Sequence, residues 1–264
     1  MAGMLRFRQP PVHEVTLGLM FQPLSRLQSL DLASLRVDWR SEYPNLREST
    51  PLTPWQPSSQ DDVEFMRSGL PWPMGLCSLS TELGDRKIKF QQDRFILIWK
   101  STGDEQPYPG YDSLKAELLG KFDHFSKLSQ NICGTLPEVR RADAQYLNRL
   151  PEISAYQAMA GVLTGWSSES AFPFRAPDYC GFRVQYQQSE RDDRVSVLIG
   201  VDSAVTEPSV GEFSEGSSLI IDAESQVDLG DDFALRMDAA HEVVSGAFVE
   251  ATSAQMRQQW GEMK

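Results

Sequence analysis

The stretch CSLSTELGDRKIKFQQDRFILIW, running from Cys77 to Trp99, decides the fold. Its segments 77–83, 87–91 and 94–99 are parted by Gly84-Asp85 and Gln92-Asp93, dipeptides that suit tight turns, so the stretch reads as an antiparallel meander. In the middle segment Ile88 and Phe90 fall on one face and Lys87, Lys89 and Gln91 on the other, which predicts a wet outer face. Arg94 to Trp99 is almost continuously apolar and belongs near the centre of a sheet whose other face is covered by helices. The cover follows in the chain. After the turn Tyr108-Pro109-Gly110-Tyr111, Asp112 or Ser113 can cap a helix. Leu114, Leu118, Phe122, Phe125 and Leu128 then share an arc of roughly 120° at about 100° per residue, an amphipathic face turned to the sheet.

Upstream, Val15, Leu17, Leu19 and Phe21 alternate with Glu14, Thr16, Gly18 and Met20, which gives a strand over 12–21 with one buried face. Pro10 and Pro11 place its start at the surface. Leu24, Leu27, Leu30, Leu35 and Trp39 are spaced for one broken helix or two short ones, ended by Tyr43-Pro44. From Pro44 to Pro73 the prolines leave no room for a long regular element. Leu52, Trp55, Phe65, Met66 and Trp72 make that segment an arm that adheres to the body, because a pure linker needs no large aromatic groups.

Downstream, Val139 to Leu147 reads as a strand and Ile153 to Leu163 as a helix. Gly181–Gln187 and Arg194–Gly200 form a hairpin, with Phe182, Val184 and Tyr186 turned inward. After a polar loop over 207–217, Ser218–Glu224 is a further strand. A closing helix from about Asp231 carries Phe233, Met237, Ala240, Val244, Ala247, Phe248 and Ala251 on one stripe. The expected class is α+β, with antiparallel sheets in two similar halves packed against two long amphipathic helices. The halves divide at 1–165, containing the proline-rich arm at 44–73, and 166–264, a hairpin and long helix, all within one compact body.

Composition narrows the function. The chain has 264 residues and a net charge of −12 at pH 7, which repels phosphate polyanions and disfavours nucleic acid as a partner. Cys77, Cys133 and Cys180 are too far apart for a disulfide framework or a paired-cysteine metal site, so a reducing, cytoplasmic setting is expected. No apolar run is long enough for a membrane span, and MAGMLRFRQPP has no secretory core. His13, His124 and His241 have no ligand-spaced neighbours; His241-Glu242 is not a zinc-protease signature, because Ser245 stands where the second histidine belongs. A GxSxG elbow, a phosphate loop and a dinucleotide fingerprint are all missing, so no catalytic residue, metal or cofactor is assigned.

The candidates that remain are of two kinds. Trp55, Trp72, Tyr108 and Tyr111 are aromatic anchors for a partner, and Lys87, Lys89 and Arg94 form a small basic patch on one sheet face. Glu14, Asn148 and Asp222 are polar-site candidates: a charge within an apolar strand, an amide at a strand end and a carboxylate after Leu219-Ile-Ile221.

The segments Pro10-Pro11-Val12-His13-Glu14-Val15, Glu42-Tyr43-Pro44, Asp93-Arg94-Phe95, Tyr108-Pro109-Gly110-Tyr111, Tyr146-Leu147-Asn148-Arg149 and His241 to Phe248 followed by Thr252 span nearly the whole chain. In their order and spacing the chain resembles an uncharacterised bacterial family of similar length, sporadically distributed among genomes, whose first strand carries Pro-Pro-x-x-Glu-Val. Here Arg8-Gln9 stand before the prolines, where that family usually has tyrosine or phenylalanine. The resemblance brings no activity, ligand or catalytic residue with it. The expected function is a non-catalytic protein-binding regulator, adaptor or complex subunit, with another protein as partner, a homodimer allowed and no enzyme activity. The alternative is an enzyme without a linear motif that acts on a small molecule or nucleotide. A third reading is an RNA- or DNA-binding module at Lys87, Lys89 and Arg94.

Overall fold

The computed structural model describes residues 6–7, 10–53, 55, 74–103, 107–150, 181–187, 192–203 and 216–263. The strands are β1 (Arg6–Phe7), β2 (Val12–Phe21), β3 (Asn45–Ser49), β4 (Leu76–Ser80), β5 (Arg86–Gln91), β6 (Arg94–Lys100), β7 (Val139–Leu150), β8 (Gly181–Tyr186), β9 (Val195–Ser203), β10 (Ser217–Gln226) and β11 (Glu262–Met263). The helices are α1 (Ala33–Asp38), preceded by a 3-10 turn at Ser29–Leu32, α2 (Tyr111–Cys133), α3 (Phe233–Ala251) and α4 (Ala254–Gln259). A nine-stranded sheet runs β3-β4-β5-β6-β2-β7-β10-β9-β8, and β1 pairs with β11 apart from it. The large antiparallel sheet and its two long helices, α2 and α3, make the class α+β, as the hydrophobic periodicities require.

The chain divides into two compact units, one of Met1–Val15, Ala144–Ser225 and Asp238–Lys264, the other of Thr16–Asp143 and Gln226–Met237. In the second, Cys77 pairs with Phe90 and Phe90 with Phe95, while Leu79 pairs with Ile88 and Ile88 with Leu97, so one face of the meander is a continuous apolar surface. α2 lies on it. Phe122 and Phe125 reach Phe95 at ring-centroid distances of 5.6 and 5.3 Å and Phe21 at 5.9 and 5.8 Å. Leu114, Leu118, Phe122 and Phe125 are buried, as their helical spacing demands.

The first unit repeats this plan by itself. Ala144–Leu150 of β7 stands where Thr16–Phe21 of β2 stands in the other unit; β8, β9 and β10 form the meander with β10 beside β7, and the helical segment Asp238–Ala251 follows. β9 and β10 pair through Leu219 with Val201, Ile221 with Ile199 and Ala223 with Val197. Val201, Leu219, Ile221, Ala223, Ala240, Val243, Val244 and Ala247 are buried.

The structure corrects several local expectations. The segment after Pro44 begins with a regular strand, β3, paired to β4 from Asn45 with Ser80 to Ser49 with Leu76. All five of its side chains are exposed, so backbone pairing holds it and no apolar alternation announces it. α2 starts on Gly110 at φ 88°, without a side-chain cap from Asp112 or Ser113. Gln91 is 1% exposed, because its amide exchanges hydrogen bonds with the backbone N–H and carbonyl of Leu52 at 2.8 and 3.1 Å. β8 is the last strand of its sheet, and Val184 and Tyr186, expected inward, are 38% and 52% exposed. The ribbon of β1 and β11 is too short for pattern recognition; Phe7 packs there against Phe248 and Trp260 at 5.8 and 6.4 Å. The expected helix at Ile153–Leu163, the aromatic residues Phe65 and Trp72, and Cys180 lie outside the described residues. Among the described residues no helix is long and apolar enough to cross a membrane.

Replacing Phe125, which is fully buried, with alanine is expected to lower the unfolding free energy by about 3–5 kcal/mol in urea titrations followed by circular dichroism. Leu235→Ala, at a position 64% exposed, should shift it by no more than about 0.5 kcal/mol.

Candidate functional site

In the unit containing α2, charged groups are largely committed to one another. Arg94, 7% exposed, donates from Nε to Asp93 Oδ1 at 2.8 Å and from Nη2 to Asp93 Oδ2 at 2.9 Å, and it also donates to the Thr53 carbonyl. This fork ties the chain after Pro51 to the sheet and removes Arg94 from the expected basic patch. Trp55 donates Nε1 to the Phe21 carbonyl at 3.0 Å and lies under the Arg141 guanidinium at 5.3 Å, so it is anchored within the fold. Tyr108 packs on Trp99 at 5.3 Å, and Tyr111 is buried in the first turn of α2. Lys87 and Lys89 occupy the sheet face away from α2, where Lys89 stands between Ser78 and Ile96 and Lys87 between Ser80 and Ile98.

Behind α1, Tyr43 donates to Glu117, whose other oxygen meets Arg86 Nη1 at 3.0 Å. Burial, and then the Glu117 carboxylate, push the Tyr43 hydroxyl far above the ordinary phenol range. Trp39 Nε1 donates to His124 Nδ1 at 3.2 Å, so His124 carries its proton on Nε2, facing Asp38 at 3.2 Å. These bonds fasten α1 to α2. Cys77, whose thiol burial pushes up to about 11, and Cys133, raised by the same cause, are both free thiols.

The other unit is lined differently. Tyr146 and Asn148 are two residues apart on β7 and share a sheet face. The Tyr146 hydroxyl lies 3.1 Å from His241 Nδ1 on α3, their rings 5.7 Å apart. Asn148, 1% exposed, donates Nδ2 to the Leu219 carbonyl at 3.3 Å. This inner face also carries Ala144, Ala223 and the buried serines Ser217 and Ser225, beside Leu150, Leu219 and Ile221. Gln145 points to the opposite face and donates to Asp222 at 3.1 Å. Asn148 and Asp222 therefore serve different faces of the sheet. Glu14 is half-buried on β2 in the same unit, and Trp72 lies outside the described residues.

The contact that sequence reading missed is the pairing of Tyr146 with His241. No spacing rule connects a strand residue with a helix residue so distant in the chain; the cue that exists is a tyrosine and an asparagine two apart on a strand, with Ala142 and Ala144 before them on the same face. Among the described residues no group of His, Cys, Asp or Glu is arranged to hold a metal ion.

No protein-family model and no curated protein matches the chain. Among solved structures it is similar to the duplicated taurocyamine kinase from Schistosoma mansoni with bound transition-state-analogue components, at 12% identity and a TM-score of 0.35 over 89% of this chain and 32% of that one. It is likewise similar to the substrate-free form of that kinase, at 12% identity and a TM-score of 0.33 over 91% and 33%. The chain thus spans about a third of the length of the solved chains it matches. Both matches are enzymes, and this corrects the expectation of a non-catalytic protein-binding adaptor and the lean against enzyme activity. The bacterial affiliation implied by the family resemblance finds no support in them either. At these TM-scores the likeness transfers no activity, and the chemistry must come from the chain's own residues.

Because its thiol ionises only well above neutrality and is buried, Cys77 is expected to resist iodoacetamide at pH 8 while the half-buried Cys133 is labelled first. Peptide mass mapping over a pH series should show Cys77 labelling rise toward pH 11, where its thiolate forms; equal rates for the two thiols at pH 8 would contradict the burial.

Proposed function

We propose that the protein is an enzyme that moves a proton on a small molecule, with Tyr146 and His241 as its acid–base pair. The observation that carries this reading is the 3.1 Å contact of the Tyr146 hydroxyl with His241 Nδ1 on an inner face that also carries the buried amide of Asn148. Where the phenol donates to Nδ1, the imidazole keeps its proton on Nε2 and presents a donor there. Where Nδ1–H donates to the phenol oxygen, Nε2 carries no proton and is the basic nitrogen of the ring. If Nε2 gives its proton to a substrate as the phenol proton passes to Nδ1, the imidazole stays neutral and the Tyr146 phenolate holds the charge until a proton returns by the same path, which is general acid–base action by the pair.

The contrast between the units supports the same assignment. Where the inner face of β7 offers Tyr146 and Asn148, β2 has the buried Leu19 and Phe21, the latter packed on Phe122 and Phe125. The aromatic unit is packed as a scaffold, and the unit with small and polar inner residues holds the chemistry. In this reading the chain belongs to the sporadically distributed family it resembles and works in a reducing cytoplasm, in keeping with the free thiols of Cys77 and Cys133.

The test is incubation of the purified full chain with a polar metabolite extract, followed by mass spectrometry of consumed and formed species. Consumption of at least one compound is expected, slowed by about 100-fold or more in His241→Asn and Tyr146→Phe variants whose circular dichroism matches the parent. An unchanged extract, or variants as active as the parent, would refute the reading.

A further inference from the structure

We infer that His124 is a proton-driven switch in the hold of α2 on the end of α1: neutral, the ring holds Trp39; charged, it holds Asp38. The inference is independent of the acid–base reading of Tyr146 and His241. Its basis is that the two nitrogens of one ring carry contacts of opposite sense. Trp39 Nε1–H donates to His124 Nδ1 at 3.2 Å, while His124 Nε2 faces Asp38 Oδ2 at 3.2 Å. A neutral imidazole serves both at once, accepting on Nδ1 and donating from Nε2. An imidazolium bears a proton on each nitrogen, so Nδ1–H then meets the indole N–H, donor against donor, and the bond to Trp39 is lost. The same proton turns the contact with Asp38 into an ion pair between full charges. Imidazole is the side chain that charges between pH 8 and pH 5, so mild acidification exchanges one partner for the other.

The surroundings let the ring move and keep the indole still. The side chains of His124 and Asp38 are 41% and 48% exposed, so a proton reaches the ring from solvent and the two can close on each other. Trp39 is buried, with its ring edge-on to Phe90 and Phe95 at 6.4 and 6.3 Å, and cannot follow a turning imidazole. The other charged groups nearby have partners of their own. Lys121, one turn before His124 on α2, lies over the Trp39 and Tyr43 rings and pairs with Glu42 at 2.8 Å. Glu117 holds Tyr43 and Arg86, Asp123 holds Lys127 at 2.6 Å, and Arg36 donates to the carbonyls of Tyr43 and Pro44. Asp38 is the carboxylate that meets the ring.

The test follows the indole N–H signals of the full-length protein by proton–nitrogen NMR from pH 8 to pH 5. The Trp39 signal, identified by cross-relaxation with the Phe90 and Phe95 rings, is expected to move upfield along a single titration curve as its bond is lost. The signal of Trp55, whose Nε1 donates to the Phe21 carbonyl, should stay in place. In His124→Gln, whose side-chain carbonyl accepts from the indole at any pH, the Trp39 signal should no longer titrate. In Asp38→Asn the midpoint should fall by about half a pH unit, because the charged ring loses its carboxylate. A Trp39 signal that holds its place down to pH 5, that titrates equally in His124→Gln, or whose midpoint ignores Asp38→Asn would overturn the switch.

Discussion

The contact on which the rest depends is the packing of Phe122 and Phe125 from α2 against Phe21, Phe90 and Phe95 on the sheet. Rings at 5.3 to 5.9 Å in tilted arrangements remove a large apolar area from water and lock one another's orientation, so a helix of twenty-three residues is held at a defined height over β2, β5 and β6.

The same plan is filled in two chemically opposite ways. Over the meander of β4 to β6 the inner positions are largely phenylalanine, leucine and isoleucine, and the buried charges are paired, as Arg94 is with Asp93. On β7 and β10 the inner positions include Ala142, Ala144, Ala223, Ser217, Ser225 and Asn148. Such a surface contributes less hydrophobic stabilisation than its counterpart and carries desolvated polar atoms besides. Sites that bind and react are where such losses concentrate.

Much of the architecture was legible because burial is periodic. Alternation at Val15 to Phe21 and the run from Phe95 to Trp99 marked strands, and the spacing of Leu114, Leu118, Phe122 and Phe125 marked α2, since each element must show one face to the core. Elements held by other means stayed hidden. β3 pairs through its backbone with every side chain exposed, β1 and β11 are two residues each, and Gly110 rather than a polar cap starts α2. The candidate site was legible only in fragments. Asn148 stood out as an amide in a strand, and its buried bond to Leu219 answers to that signal. Glu14, Arg94 and Asp222 stood out by charge alone, and a charge reveals nothing of its partner before the fold supplies one: Asp93 for Arg94, Gln145 for Asp222.

The absence of a linear motif follows from the same geometry. Motifs such as a phosphate loop or a nucleophile elbow are contiguous because one turn of backbone does the work. Here the hydroxyl belongs to a strand and the imidazole to the helix that returns over it after three further strands, so the two are joined by a helix-on-sheet contact and not by spacing. The requirement on the sequence is correspondingly loose: a helix register that brings His241 over Tyr146, and small residues at Ala240, Val244 and Ala247 that let the helix approach closely. Alanine and valine at those places look like ordinary core. A site built in this way leaves little trace in the order of the residues, and its chemistry has to be read from which atoms the fold buries without a partner.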